Sequence, residues 1–270
     1  MLTNADIKEI KKLTDRSKAR HEAGLFVIEG VKLFLETPLE WVKKVYVTEA
    51  FMEELDRQIQ AGEGNMLRAS EIIRWMEYDV ITSSQMEKIS DTKTPQGILC
   101  VLKQPNYNIE QILRKKDRPA GRRLIVILED IQDPGNLGTI MRSAEGAGAM
   151  AVIMSRGCVD IFNPKTIRST MGSIYRVPFV IADDLNDTVR TLKDEGFKVY
   201  AAHLKGERYY NEISYEDTAF LIGNEGNGLS DETAALADEY LKIPMEGELE
   251  SLNASVAASI LMYDHYIKTR

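Results

Sequence analysis

An α/β fold is predicted for this 270-residue chain: a parallel-sheet domain on its C-terminal side, preceded by a smaller mixed α/β domain. Three observations carry that expectation. From Leu124 onward short apolar runs alternate with helical stretches, starting with LIVILE (124–129) and AVIM (151–154). Continuous apolar runs of this length suit strands buried on both faces. Before residue 104 the pattern is less regular, with short strands at Leu25–Glu29, Val45–Thr48 and Gly97–Leu102 and a helix over Val31–Glu36. Between the two lies a stretch running from QPNYN to RKKDRPAGRR, polar, basic and broken by proline and glycine, which suits a connection. The expected division is 1–103, a linker over 104–122, and 123–270.

In chain order, the first helix is expected to start with Asn4 as its cap, turning Ile7, Ile10 and Leu13 inward. Lys8, Lys12, Arg16 and Arg20 recur every fourth residue and would form a basic stripe along that helix. A stripe of this kind is either a solvated helix face or a docking surface for a polyanion. In the second domain VPFVI, FKVYAA, TAFLIG and YLKIPM continue the strand series, and Asp184–Glu195 reads as a helix closed by Gly196. Strands alternating with helices imply a parallel sheet covered on both faces.

Composition narrows the function classes. With 44% apolar and 28% charged residues the chain reads as an ordinary globular protein. No apolar run approaches the roughly 18 residues of a membrane span, and the N-terminus has no signal-peptide core. Cys100 and Cys158 lie in apolar contexts without metal-type spacing, as expected of reduced thiols in a cytoplasmic protein. His21, His203 and His265 are scattered, so no metal site is expected. The net charge of −8 is unevenly placed. Residues 103–123 hold seven bases against Glu110 and Asp117, whereas 183–250 hold seventeen acids and six bases. That distribution permits a polyanionic partner at one end of the molecule.

Three polar stretches each follow a predicted strand, and in open parallel sheets ligands bind beyond the carboxyl ends of the strands. The first is EDIQDPGNLGTIMRSAEGAG (129–148). Pro134 and Gly135 turn the chain, Asn136 is placed to cap a helix from Leu137, and Leu137, Ile140, Met141 and Ala144 form its buried stripe. Arg142 lies on another face near the positive end of that helix, where a cation does nothing for helix stability. An ion pair with Glu145 is its simple alternative. The second stretch is IGNEGNGLSDE (222–232), with Gly223, Gly226 and Gly228 around Asn224 and Glu225. Its GxxGxG spacing is neither the dinucleotide fingerprint nor a phosphate loop, and a plain turn with Ser230 capping the next helix would also explain it. The third is IPMEGELESLNASVAASILMYD (243–264). Ser251 and Asn253 precede a helix whose Ala254, Ala257 and Ala258 permit close packing, beside apolar Val256, Ile260 and Leu261. Taken residue by residue, the chain reads as an α/β enzyme with a glycine-rich small-molecule site and basic surface elsewhere.

Together and in order, DPGNLGTIMRSAEGAG, FLIGNEGNGLS and IPMEGELESLNASVAASILMYD resemble the three motifs of the SpoU (TrmH) family of RNA ribose methyltransferases, within the SPOUT superfamily. GLFVIEGVKLFLE and SDTKTPQGILCVL resemble the substrate-binding domain that many rRNA-modifying members carry. The resemblance spans nearly the whole chain, least closely over residues 50–85. It implies a SPOUT domain with a deep trefoil knot, and a homodimer with the helices after Asn136 and Asn253 near the interface. It implies S-adenosylmethionine bound among Leu204, Gly223, Asn224, Gly226, Ile243, Met245, Ser251 and Leu252. The expected reaction is methylation of a ribose 2′-hydroxyl in structured RNA, most of all 23S rRNA; transfer RNA or a non-catalytic role in ribosome assembly are the alternatives. An oxidoreductase is disfavoured because GxGxxG is missing. Asn136, Arg142, Glu225, Ser251 and Asn253 carry the implied catalytic roles, with Glu225 orienting Arg142 or the ribose. Arginine is essentially always protonated, so the plainer role for Arg142 is stabilising a developing alkoxide and anchoring a phosphate. Lys12, Arg16, Lys18, Arg20 and Arg168 are the expected RNA contacts.

Overall fold

The computed structural model describes residues 2–62, 64–114, 119, 121–248 and 251–270. By internal contacts the chain forms two compact units, Met1–Asn106 with Asp160–Tyr175, and Tyr107–Val159 with Arg176–Arg270. The segment Asp160–Tyr175 thus groups with the N-terminal unit, although the sequence division placed it in the second domain.

The first unit is built on a four-stranded sheet of β1 (Leu25–Glu29), β2 (Val42–Thr48), β3 (Tyr78–Ile81) and β4 (Ile98–Lys103), in the order β1-β4-β2-β3. β4 runs antiparallel to both neighbours and β3 parallel to β2. β3 escaped the sequence reading because it is a four-residue edge strand with Tyr78 and Val80 exposed. The first helix, Asn4–Asp15, buries Ile10 and Leu13 as expected, but its cap is Thr3. The Thr3 hydroxyl accepts the Asp6 N–H at 3.2 Å while the Asp6 carboxylate accepts the Thr3 N–H at 2.8 Å, a reciprocal capping box.

That helix stops at Arg16, whose backbone is extended (φ −125°, ψ 116°), and a second helix, Ser17–Ala23, begins in its place. The break removes the four-residue periodicity on which the basic stripe was built. Arg20 therefore turns inward and is only 2% exposed. Its Nε and Nη2 both reach Oδ2 of Asp160 at 2.7 Å, and Nη1 donates to the carbonyls of Leu13 (2.8 Å) and Thr14 (3.0 Å). With its donors consumed inside the fold, Arg20 is not a surface contact for RNA, and that expectation is corrected.

The second unit carries seven strands: β5 (Leu124–Leu128), β6 (Ala151–Met154), β7 (Phe179–Ile181), β8 (Lys198–Ala202), β9 (Arg208–Tyr209), β10 (Thr218–Ile222) and β11 (Glu239–Lys242). Their order is β7-β6-β5-β10-β8-β11-β9, and every pairing is parallel. Every side chain of β5 and β10 is buried. Each large aliphatic among them contributes about 1.5–3 kcal/mol of apolar burial. The chain first builds outward from β5 through β6 to β7, then returns to the other side for β8, β10 and β11. This reversal lies between β5 and β10, and the crevice beyond such a switch point is where a doubly wound sheet presents its ligand.

The expected linker over 104–122 is only partly one. It contains the helix Ile109–Arg114, whose Ile112 is buried in the second unit's core beside Tyr107, Ile109 and Leu113. The helical spacing of the apolar residues in IEQIL was masked in the sequence by the basic residues that follow. Lys115, Lys116 and Arg118 of that basic cluster lie outside the described residues. Among the described residues no helix is long and apolar enough to cross a membrane.

Candidate active site

β5 and β10 end side by side, so the first two polar stretches leave the sheet together. After β5 the chain turns into the helix Pro134–Gly146, which starts earlier than the sequence reading placed it. Its cap is Asp133, not Asn136: Asp133 Oδ1 accepts the Asn136 N–H at 2.9 Å. Pro134 fills the first position, where a missing N–H costs nothing. Asp-Pro-Gly is itself a cap signal, and it could have been recognised in the sequence.

Relieved of capping, the Asn136 side chain joins the three stretches. Its Nδ2 donates to Glu225 Oε1 at 2.9 Å, and its Oδ1 accepts Asn253 Nδ2 at 2.9 Å. Asn253 Oδ1 in turn caps the helix Ala254–Thr269, accepting the N–H groups of Ser255 (2.9 Å) and Val256 (3.3 Å). The Glu225 carboxylate also accepts the N–H groups of Gln132 and Asp133, each at 3.1 Å. Burial pushes the Glu225 carboxyl up, but the bonds from Asn136 and these two N–H groups outweigh it and hold the group below the usual carboxylate range. Glu225 is therefore an occupied anchor and a weak base.

The turn that carries Glu225 closes tightly, Asn224 and Gly228 exchanging both backbone hydrogen bonds at 3.0 Å. Gly228 takes a left-handed φ of 69°, and a Cβ at Gly223 would overlap the Gly228 carbonyl, so both must be glycine. Gly226 meets neither constraint. Asn224 Oδ1 secures the tip by accepting the N–H groups of Gly226 (2.9 Å) and Asn227 (3.0 Å).

Against this turn lies a cleft of about 440 Å³ at the carboxyl ends of β8, β10 and β11. Leu204, Gly223, Asn224, Gly226, Ile243, Met245, Ser251 and Leu252 all line it. So do His203, Lys205, Asn227, Asp231 and Lys242, which the sequence reading passed over. The strand-end rule applied to β8 and β11 would have pointed to them.

Arg142 is placed differently. It is exposed on the helix Pro134–Gly146 and is not among the cleft residues. It makes no ion pair or side-chain hydrogen bond among the described residues. Glu145, its simple alternative partner, pairs with Arg176 at 2.5 Å, and Glu225 has spent its acceptors on Asn136 and the backbone. Of the two groups Glu225 was expected to orient, Arg142 makes no hydrogen bond to it among the described residues, and the ribose belongs to the substrate. Of the remaining basic residues singled out, Lys12 and Arg16 are exposed, Lys18 faces Glu22 at 3.7 Å, and Arg168 pairs with Asp91 at 2.8 Å.

Residues 123–263 match the SpoU rRNA Methylase family, and residues 4–100 match the MRM3-like substrate binding domain. The chain belongs to the SpoU rRNA methylase family. It is 32% identical over 261 residues to the 23S rRNA (guanosine(2553)-2′-O)-methyltransferase RlmP of Bacillus subtilis, with 96% of this chain and 95% of that protein aligned. An AdoMet-bound rRNA methyltransferase from Sinorhizobium meliloti superposes with a TM-score of 0.81 at 29% identity, over 98% of this chain and 95% of that one. The SpoU methyltransferase AviRb from Streptomyces viridochromogenes, at 24% identity, shares the fold with a TM-score of 0.82 over 98% of both chains. This SpoU family member is accordingly an RNA ribose methyltransferase that uses S-adenosylmethionine. Its cleft fits that cofactor. The volume falls within the range of about 300–1,000 Å³ typical of small-molecule sites. Apolar Leu204, Ile243, Met245 and Leu252 line it beside the backbone of a glycine turn, suited to an adenine ring and the aliphatic part of a methionine chain.

Proposed function

We propose that this chain methylates a ribose 2′-hydroxyl of large-subunit rRNA. The observation that carries the reading is the hydrogen-bond chain Asn253–Asn136–Glu225, which locks the three polar stretches together beside a cleft of cofactor size. Full-length similarity to a 23S rRNA methyltransferase supports the choice of substrate, and the match of residues 4–100 to a substrate-binding domain supports RNA docking there. Such a substrate places the enzyme in the cytoplasm.

When bound, S-adenosylmethionine supplies an electrophilic methyl group, and the protein must orient the attacking hydroxyl. Leu204, Gly223, Asn224, Gly226, Ile243, Met245, Ser251 and Leu252 hold the cofactor and exclude water. Glu225 stays ionised and anchors the Asn136 loop, which leaves orientation of the ribose as its role toward the substrate. The exposed guanidinium of Arg142 stabilises negative charge developing on the ribose oxygen and grips the neighbouring phosphate. Ser251, Asn253 and Asn136 shape the pocket around the ribose. The knotted path belongs to the same reading; β10 enters the sheet between β5 and β8 after both have been laid down.

A second copy of the chain completes the assembly. Along the helix Ala254–Thr269, Val256, Tyr263 and Ile267 are 46%, 43% and 71% exposed, with Ile260 half-buried on the same face. A stripe at this spacing is an unpartnered helix face, and it supports homodimerisation. Leu261, expected on that face, is fully buried within the unit.

The test is methyl transfer from radiolabelled S-adenosylmethionine to unmodified large-subunit rRNA, small-subunit rRNA and transfer RNA. The expected result is one alkali-resistant label in large-subunit rRNA. Label confined to transfer RNA would overturn the substrate, and binding of cofactor without transfer to any RNA or ribosomal particle would overturn the catalytic reading. Sedimentation of the wild type against Val256→Glu plus Ile267→Glu checks the dimer.

A further inference from the structure

Glu129 and Asp130, the two residues that leave β5, do not line the cleft, yet they hold both ends of the turn that walls it. Glu129 Oε1 accepts the hydroxyls of Ser230 (2.7 Å) and Thr233 (2.5 Å), and its Oε2 accepts the Ser230 N–H at 2.7 Å. Ser230 ends the turn and caps the short helix Asp231–Ala234, whose first residue lines the cleft. Asp130 has a left-handed backbone (φ 54°), a strained conformation for a residue with a Cβ.

The surroundings over-determine that conformation. The Asp130 N–H donates to Ser155 Oγ at 2.9 Å, and the same hydroxyl donates to Asp130 Oδ1 at 2.6 Å. The Asp130 carbonyl then accepts Nδ2 of Asn224 at 2.8 Å, at the start of the turn. A turn with glycines at 223, 226 and 228 has much backbone freedom to lose, and these tethers restrict it before a ligand arrives.

We propose that Glu129 and Asp130 are positioning residues for S-adenosylmethionine: through Ser230 and Asn224 they hold the wall of the cleft in its binding-competent shape. The inference rests on the methyltransferase reading above. Because a site that is only fractionally competent binds more weakly by that fraction, the effect falls on cofactor affinity and leaves the chemical step at saturation unchanged.

The experiment is calorimetric titration of S-adenosylmethionine into the full-length protein, with kcat measured at saturating cofactor. Glu129→Ala and Ser230→Ala are each expected to raise Kd about tenfold, or ~1.4 kcal/mol, with kcat within about twofold of wild type. Ser230→Ala should add less to Kd in the Glu129→Ala background than in the wild type, because the hydroxyl bond the two residues share is already lost there. Ser155→Ala, which frees Asp130, is expected to raise Kd about threefold. Thr233→Val removes a single hydroxyl and serves if Glu129→Ala does not fold; about a twofold rise is expected there. Lower thermal stability with wild-type Kd in these variants would reduce both residues to structural supports and overturn the inference. A wild-type protein that neither binds S-adenosylmethionine nor methylates RNA would instead overturn the reading on which it rests.

Discussion

The helices Ser17–Ala23 and Pro134–Gly146 each carry an arginine that the sequence assigns to RNA, and the structure treats the two in opposite ways. Arg20 is 2% exposed and has acceptors on Nε, Nη1 and Nη2. Arg142 is exposed and has none among the described residues. A guanidinium in the interior must have its donors met, because an unmet buried charge costs several kcal/mol. One without a partner among the described residues in the middle of a helix, outside its first and last turns, gains little from the helix dipole. The first environment marks a residue that holds the fold, the second one that is held ready for something outside it.

The largest effect expected from breaking this contrast is on stability. Arg20→Met leaves the Asp160 carboxylate, 8% exposed, without its partner, and should cost about 3–5 kcal/mol in urea unfolding. Adding Asp160→Leu removes the orphaned charge and should recover most of that loss. RNA affinity of the folded Arg20→Met protein should equal that of the wild type. A stable variant with weakened RNA binding would return Arg20 to the surface and refute its assignment to the interior.

Arg142→Ala is the mirror image. Its unfolding midpoint and cofactor affinity should match the wild type, since no group among the described residues loses a partner. Methyl transfer should fall about 10²–10³-fold, the usual cost of removing a donor aimed at developing negative charge. Arg142→Lys keeps the charge without the planar fork and should lie between the two. Near-wild-type transfer by Arg142→Ala would show that the free guanidinium has no part in the reaction.

Glu225 sharpens the comparison from the anionic side, being a charged group that is met by donors as Arg20 is met by acceptors. Its folded carboxyl is shifted below the ordinary value of 4.5, with burial opposing and the Asn136 and backbone bonds prevailing. A depressed carboxylate stabilises the folded state fully above its unfolded value and loses that contribution as pH falls through the folded one. Wild type should therefore exceed Glu225→Gln in urea midpoint at about pH 7, and the gap should narrow below about pH 4.5. A gap that stays constant down to about pH 3 would mean that the ionised carboxylate is not what anchors the loop.

These contrasts also mark what could be seen before the structure. The strands of the second unit were legible because LIVIL is apolar throughout and TAFLI is apolar after its first residue, a pattern that suits burial on both faces. The residues assigned to the cofactor, seven of them from the ordered motifs and Leu204 from outside them, all line one cleft. The fate of Arg20 was not legible, because a break of one residue at Arg16 changes the direction of everything after it. Nor was the role of Glu129, whose partners Ser230 and Thr233 stand more than a hundred positions away. Periodicity reports local faces; it carries no information about a bond closed by tertiary packing.

The smallest effect is expected where neither extreme applies, at Lys12 and Arg16. Both are exposed and neither forms an ion pair among the described residues, so their charge is available to phosphates but is held in no fixed geometry. Exposed cations of this kind act through counterion release, each phosphate contact adding about 0.7–0.9 to the slope of log affinity against log salt. Lys12→Ala plus Arg16→Ala should leave stability, cofactor affinity and kcat at saturating RNA unchanged. RNA affinity should fall only several-fold at low salt, with the salt slope reduced by about 1–2, and the difference should vanish at high salt. An equal loss at all salt concentrations would instead point to a specific hydrogen bond from one of the two. No loss at low salt would leave RNA docking to other surfaces of the first unit.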